Sequence, residues 1–384
     1  MTKYTTVLAN LLRPLSRSDF ESTISGYDAD RGVCLKTYDF FKGMVYGQLA
    51  GCFSVREIEN SMKANGNRLY HAGLQPMKRS TFCDAMEKRD SNIFKSAFAF
   101  VSDKAQQISG KTKKQFKNPL RLIDSSTIPL CLSKCDWAHF RKSKGAARLH
   151  LTFDGDNLIP LEAHLTAGNV HDVNGMEWLC NESEVIYVLD RGYVDYKSLY
   201  CIELNDSFFV TRVKSNGSYK RLRSFQHADN DSIISDVEIQ LTGPQTKEYY
   251  PKPLRKVKYY DKEFHHTYEF ITNNFSLSAQ EIADIYKARW QIELFFKWLK
   301  QNLKIKTFWG TSQNAVFMQI WVALIISVLL WICRTLDGIT ATAHQILQMV
   351  RTTLLTKNTL WGLCTNVPPP TEDTNQLFLE GFYG

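Results

Sequence analysis

The sequence predicts an α/β protein in which a helical, cationic N-terminal domain precedes a larger domain built on short strands. Three observations lead there. Apolar residues recur at helical spacing through the first hundred positions; from residue 120 onward short apolar runs appear, two of them ending in Asp; and the late segment 286–300 separates charged from apolar residues on a helical wheel. With 384 residues, 44% of them hydrophobic, the chain has material for two or three domains and a substantial core.

In chain order, residues 37–49 and 55–63 show helical apolar spacing, and Ser54 with Glu57 forms a capping box, Ser-x-x-Glu. A break follows at Gly66 and a turn at Gly73 and Pro76, after which Ser80 is expected to cap a helix running to Arg89. Two short helices, a turn and a basic second helix resemble a helix-turn-helix. Residues 1–120 hold 19 Lys/Arg against 11 Asp/Glu, a surplus of 8 that equals the net charge of the whole chain. The segment Lys111-Thr-Lys-Lys-Gln-Phe-Lys117 belongs to it. Such a surplus points to a polyanion-binding module beside an electrically balanced domain.

Residues 120–123 form a short apolar strand ending at Asp124. The runs 148–153 and 158–165 flank Asp154-Gly-Asp-Asn157, which is hairpin chemistry, so both of its Asp residues are expected in a turn. Residues 185–189 make a further apolar strand ending at Asp190, followed by a helix over 196–204 and a strand over 208–213. The polar stretch 214–279 carries strand-like runs, such as 256–260 and 268–271, and reads as a β-rich insertion.

Over 286–300, Tyr286, Arg289, Glu293 and Lys300 fall within about 60° of arc at 100° per residue. Ile285, Ile292, Phe296, Leu299 and Leu303 make a second stripe roughly 75° away, the side expected to face a core. Residues 315–333 are almost wholly apolar, near the length that spans a bilayer, yet nothing else supports a membrane assignment, and a buried core helix reads the same way. The tail holding Pro368-Pro-Pro370 is expected to be poorly ordered. Nine cysteines without regular spacing fit a reducing compartment, and residues 1–17 lack the apolar run of a signal peptide. Cys131 and Cys135 have no companion pair at zinc spacing.

Two apolar strands that each end in Asp, with a Glu on a later amphipathic helix, supply three carboxylates able to converge at the strand ends of a crossover sheet. An oxygen-only set of this kind suits Mg²⁺ or Mn²⁺, and a pair of such ions suits in-line displacement at phosphorus. The segments Leu122-Ile-Asp124-Ser-Ser-Thr, Ile186-Tyr-Val-Leu-Asp190-Arg-Gly-Tyr193 and Tyr286-x2-Arg289-x3-Glu293-x6-Lys300 together resemble the DDE transposases of bacterial insertion sequences, nearest the IS4 family with its Tyr-Arg-Glu-Lys signature. The segment Thr166-Ala-Gly-Asn-Val-His171-Asp172 resembles another stretch common in these enzymes.

The resemblance implies an RNase H-like catalytic domain over 118–213 and 280–345, interrupted by the insertion 214–279. It also implies a helical DNA-binding domain over 1–117 and a tail over 346–384. Asp124, Asp190 and Glu293 would be the catalytic, metal-binding triad, holding two Mg²⁺ or Mn²⁺ ions. Tyr286, Arg289 and Lys300 would contact DNA, with Arg289 bracing Glu293 when DNA is absent. His171 and Asp172 are placed near the metal site or in a structural loop. Arg148 and His150 share one strand face open to DNA, and Trp290, Trp298 and Trp309 are either base platforms or core. Tyr193 is not expected to act as a nucleophile.

The implied activity is binding of terminal inverted repeats, metal-dependent strand cleavage and transfer to target DNA. The implied setting is a homodimer in the DNA complex, in the bacterial cytoplasm at the nucleoid and away from membrane. Two alternatives stay open: an RNase H-like nuclease that never joins strands, and a non-catalytic DNA-binding regulator.

Overall fold

Aromatic and apolar residues on nearly every turn of 37–49 form the helix Thr37–Leu49, buried along almost its whole length. The computed structural model describes residues 6–110, 116–141, 144–170, 175–213, 217–226, 231–303 and 305–365. Residues 111–115 of the basic connector, His171, Asp172 and the tail from 366 lie outside the described residues. The chain divides into two units. One comprises Met1–Lys111, Thr127–Ala147 and Leu294–Gly384, the other Thr112–Ser126 and Arg148–Glu293.

The first unit is helical apart from short stretches of strand. Ser54 caps Val55–Ala64 by accepting from the Glu57 N–H at 3.2 Å, while Glu57 reaches back to the Phe53 N–H at 2.8 Å. Such a cap is worth about 1 kcal/mol. Gly47 lets this helix approach Thr37–Leu49, since a Cβ there would lie 2.6 Å from Ile58 Cδ1. Between the two predicted helices the structure inserts a short one, Gly66–Leu69, and a 3₁₀ turn, Tyr70–Ala72, closed by Gly73 at φ +64°. The next helix is Arg79–Lys88. Lys78 holds its N-cap position without a side-chain bond, so Ser80 lies inside the first turn and is not the cap.

The apolar stretch forms Gln313–Leu336, 24 residues long and capped by Ser312. It packs against Asn92–Ser109, Thr37–Leu49, Arg79–Lys88 and Ala343–Thr353 and is buried among them. Gln319, polar in the middle of this helix, has a backbone task. Its Nε2 donates to the Thr307 carbonyl at 2.9 Å and its Oε1 accepts from the Trp309 N–H at 3.1 Å, which fixes the chain entering the helix. Gln48 Nε2 donates to the carbonyls of Leu303 and Gln319, at 2.9 and 3.0 Å.

The strands of the described residues form one ten-stranded sheet, and most of them belong to the second unit. Its strands are β1 Leu120–Leu130, β2 His139–Arg141, β3 Lys144–Asp154, β4 Ile159–Ala167 and β5 Ile186–Leu189. There follow β6 Phe208–Arg212, β7 Tyr219–Ser224, β8 Ile233–Leu241, β9 Leu254–Asp261 and β10 His266–Thr272. Strands β1, β5 and β6 are parallel neighbours, with β3 on the other side of β1 and β4 paired to β3. The order β4-β3-β1-β5-β6 with a parallel trio is the RNase H-like arrangement. Helix Tyr196–Leu204, capped by Asp195, makes the crossover from β5 to β6 that parallel pairing requires.

Asp154 turns the β3–β4 hairpin by accepting from the backbone N–H groups of Asp156 and Asn157, as its sequence predicts. Strands β7 to β10, from the polar stretch, pair antiparallel and join β6 through β10, so they extend the same sheet. Charged residues enter this part of the core in matched pairs. Arg255 meets Asp236 through two hydrogen bonds, at 2.9 and 2.6 Å, with both side chains buried.

Candidate active site

Register explains how residues 66 apart in sequence come together. Ile123 on β1 pairs with Leu189 on β5, and Leu189 pairs with Thr211 on β6. The next residue on each strand is Asp124, Asp190 and Arg212, so the three lie side by side at one level of the sheet, and residues in register on adjacent strands share a face. Contrary to the sequence expectation, Asp124 does not end its strand: β1 runs on to Leu130, and it is the pairing with β5 that ends at Ile123.

Glu293 arrives from the helical segment, which is not one helix. Ala279–Ala288, capped by a Ser278/Glu281 box, ends at Arg289, and Trp290–Asn302 begins beyond it. The Arg289 N–H bonds the Tyr286 carbonyl at 3.1 Å, and the Ile292 N–H bonds the Arg289 carbonyl at 3.2 Å. These tight i to i+3 steps break the 100° register that a single polar stripe requires. The apolar stripe survives: Ile285, Ile292, Phe296, Leu299 and Leu303 are all buried. Tyr286 is buried too, its ring 4.7 Å from that of Phe270 on β10 and its hydroxyl 3.4 Å from Asp190 Oδ1.

The structure thus brings Asp124, Asp190, Tyr286, Arg289 and Glu293 together. Arg289 is the hub. One Nη donates to Glu293 Oε1, the other lies 3.5 Å from Asp124 Oδ2, and the side chain is only 13% exposed. Asp190 acts on the same guanidinium electrostatically and is held by Arg212 at 3.1 Å. Lys300 lies seven residues beyond Glu293 on the same helix, about two turns further along the chain.

Burial pushes the Asp124 carboxyl up to about 7, against the lowering pull of Arg289 and the Ser125 N–H. Asp190 differs. Burial would raise it, but the Arg191 backbone N–H, Arg289 and Arg212 outweigh that and hold it below the usual carboxylate range. Burial raises the Tyr286 phenol to about 12, which keeps its proton available to Asp190.

The donor chemistry fits a hard divalent cation, since all three acids offer oxygen alone. In the described state their countercharge is arginine, and among the described residues no three His, Cys, Asp or Glu groups already stand at metal-holding distances.

Arg212 was missed by sequence reasoning, although the rule that found the Asp residues applies to it: Phe208-Phe-Val-Thr-Arg212 is an apolar strand ending in a charge. His150, expected on a DNA-facing strand surface, is fully buried, with Nε2 3.1 Å from Thr166 Oγ1 and its ring edge-on to Trp178. Its position on a strand packed on both faces decides this. Trp298 is core, Trp290 is exposed, and Trp309 is half-buried with its ring N–H on the Cys52 carbonyl. Tyr193 is buried.

Residues 115–329 match the family described as "Transposase DDE domain", and residues 3–75 match a domain of unknown function, DUF4372. A protein of Sinorhizobium fredii named as transposase y4zB is 33% identical over 81% of this chain and 87% of its own length. A protein of Geobacillus stearothermophilus named as the transposase for insertion sequence element IS5377 is 30% identical over 67% of this chain and 68% of its own. A Synechocystis protein named as the transposase for element IS4SA is 28% identical over 79% of this chain and 83% of its own. On a family match covering more than half its length and a relative of this likeness, the chain belongs to the DDE transposases of bacterial insertion sequences.

Proposed function

We propose that Asp124, Asp190 and Glu293 hold the divalent ions, a pair of Mg²⁺ or Mn²⁺, with which this transposase cuts DNA at the ends of its element and joins them to target DNA. The observation carrying this reading is the convergence of three acids, far apart in sequence, on the single guanidinium of Arg289. Bound there, divalent ions would supply Lewis-acid activation of the attacking oxygen and charge relief at the phosphate. The protein's own residues do the rest. Asp124 and Asp190 are pre-set by strand register, and Tyr286 and Arg212 fix the Asp190 carboxylate. Arg289 and Arg212 are placed to receive phosphate oxygens through their forked donors, and Lys300 contacts the backbone further along.

The cationic N-terminal unit grips the terminal inverted repeats, and two copies of the chain bring two ends together at the nucleoid. Cleavage of a labelled end duplex by the purified protein tests the assignment. Asp124→Asn, Asp190→Asn and Glu293→Gln should each lower metal-dependent cleavage about 10³-fold or more while end binding changes less than about threefold. Wild-type cleavage by any one of them removes that residue from the triad. Transfer of a pre-cleaved end into plasmid DNA separates this reading from that of a nuclease that never joins strands.

A further inference from the structure

We propose that Arg289 is the counter-ion that keeps the three carboxylates closed to divalent ions until a DNA phosphate takes its guanidinium. DNA and metal then bind with positive cooperativity. The inference rests on the reading of Asp124, Asp190 and Glu293 as the metal-holding set and adds the order in which that set becomes available.

Three features carry it. First, the same side chain satisfies two acids directly, Glu293 and Asp124, and a third through the field, at 13% exposure, so it stands where a divalent ion would stand electrostatically. Second, Arg289 Nε is buried and has no acceptor among the described residues. Arg212 Nε shares this property, so what distinguishes Arg289 is that its two Nη groups are divided between two acids while the third donor remains able to take an added acceptor. A phosphate offers the two-pronged acceptor that guanidinium geometry prefers, and one Arg cannot give its fork fully to phosphate and carboxylates together. Third, Arg289 occupies the junction between Ala279–Ala288 and Trp290–Asn302, where the hydrogen bonding is already of the i to i+3 kind. On this proposal the guanidinium is re-aimed by a rotation at that junction, with both helices kept.

The exchange costs no buried charge. When the guanidinium moves to phosphate, the carboxylates lose one positive partner and gain a divalent one. Arg212 cannot play this part, because it contacts Asp190 alone among the three acids.

The test is Mn²⁺ binding by the full chain, followed by electron paramagnetic resonance of the free ion, with and without an end duplex made non-cleavable by a phosphorothioate. Wild-type protein should bind Mn²⁺ about tenfold more tightly when DNA is present. Arg289→Ala should bind it about tenfold more tightly than wild type without DNA, and DNA should then add less than about twofold. Arg212→Ala removes the same charge beside the site but leaves the bridge, so it should keep most of the DNA effect. If Arg289→Ala without DNA binds Mn²⁺ no better than wild type, or if its DNA enhancement is undiminished, the closure is overturned. Arg289→Gln, which keeps side-chain bulk, repeats the measurement should the Ala variant prove misfolded. A different failure, Mn²⁺ binding that Asp124→Asn leaves untouched in every condition, would strike the metal-holding set itself.

Discussion

At the scale of single residues, the two aspartates illustrate how environment divides identical chemistry. They stand in register on neighbouring strands, yet Asp190 shares three lowering partners and Asp124 is dominated by burial, being 18% exposed against 35%. Asp124, raised to about 7, keeps its proton in the folded protein between about pH 4 and pH 7, where the unfolded chain has already shed it. Wherever the folded state binds more protons, stability falls as pH rises. The loss from Asp124 therefore accumulates between about pH 4 and pH 7 and levels off above. In chelator, Asp124→Asn should be more stable than wild type by on the order of 2 kcal/mol at pH 7.5, with the difference vanishing near pH 4. Urea unfolding at the two pH values reads this directly, and equal stabilities at pH 7.5 would mean the carboxyl is better solvated than its position indicates.

At the scale of elements, Gln319 shows why a helix with a membrane-like composition belongs to a protein core. Its side chain terminates the loop before the helix, and Gln48 meets the Gln319 carbonyl from Thr37–Leu49. Gln319→Leu would raise the apolarity of the helix while leaving the Thr307 carbonyl and the Trp309 N–H unpaired. The expected cost is about 2 kcal/mol or more, visible as a lowered thermal midpoint. A neutral or stabilising result would show that these backbone groups find other partners. Elements whose evidence is local were legible in the sequence: 37–49 and 196–204 form helices at those bounds, and both strands leading to Asp residues form. What escaped depends on pairing that composition does not encode. The break at Arg289 and the continuation of β1 past Asp124 are of this kind, as are the joining of β10 to β6 and the burial of Tyr286 and His150. Arg212 escaped for a simpler reason, because a charge at a strand end was sought only among acids.

At the scale of the whole molecule, charge is unevenly distributed along the chain. The surplus of 8 lies in residues 1–120, while the remainder of the chain carries 28 Lys/Arg and 28 Asp/Glu. A balanced charge suits a site that must collect acids without repelling DNA. On the proposed function the attraction falls to the N-terminal residues, where Lys78 and Arg79 are exposed at the start of Arg79–Lys88 with no acidic residue in its first turn. Each lysine or arginine that neutralises a DNA phosphate releases a counterion and adds roughly 0.9 to the slope of log affinity against log salt. Replacing Lys78 and Arg79 together by Ala should reduce that slope by about 1 to 2 and weaken binding to end and non-end duplex alike at low salt. Cleavage per bound complex should stay near wild type, because neither residue belongs to the carboxylate group. Fluorescence anisotropy across a salt series, with chelator present so that binding is read apart from cutting, decides the matter. An unchanged slope would move the phosphate contacts elsewhere on the chain. Loss confined to end sequence would mean that these side chains read bases, because counterion release has no sequence preference.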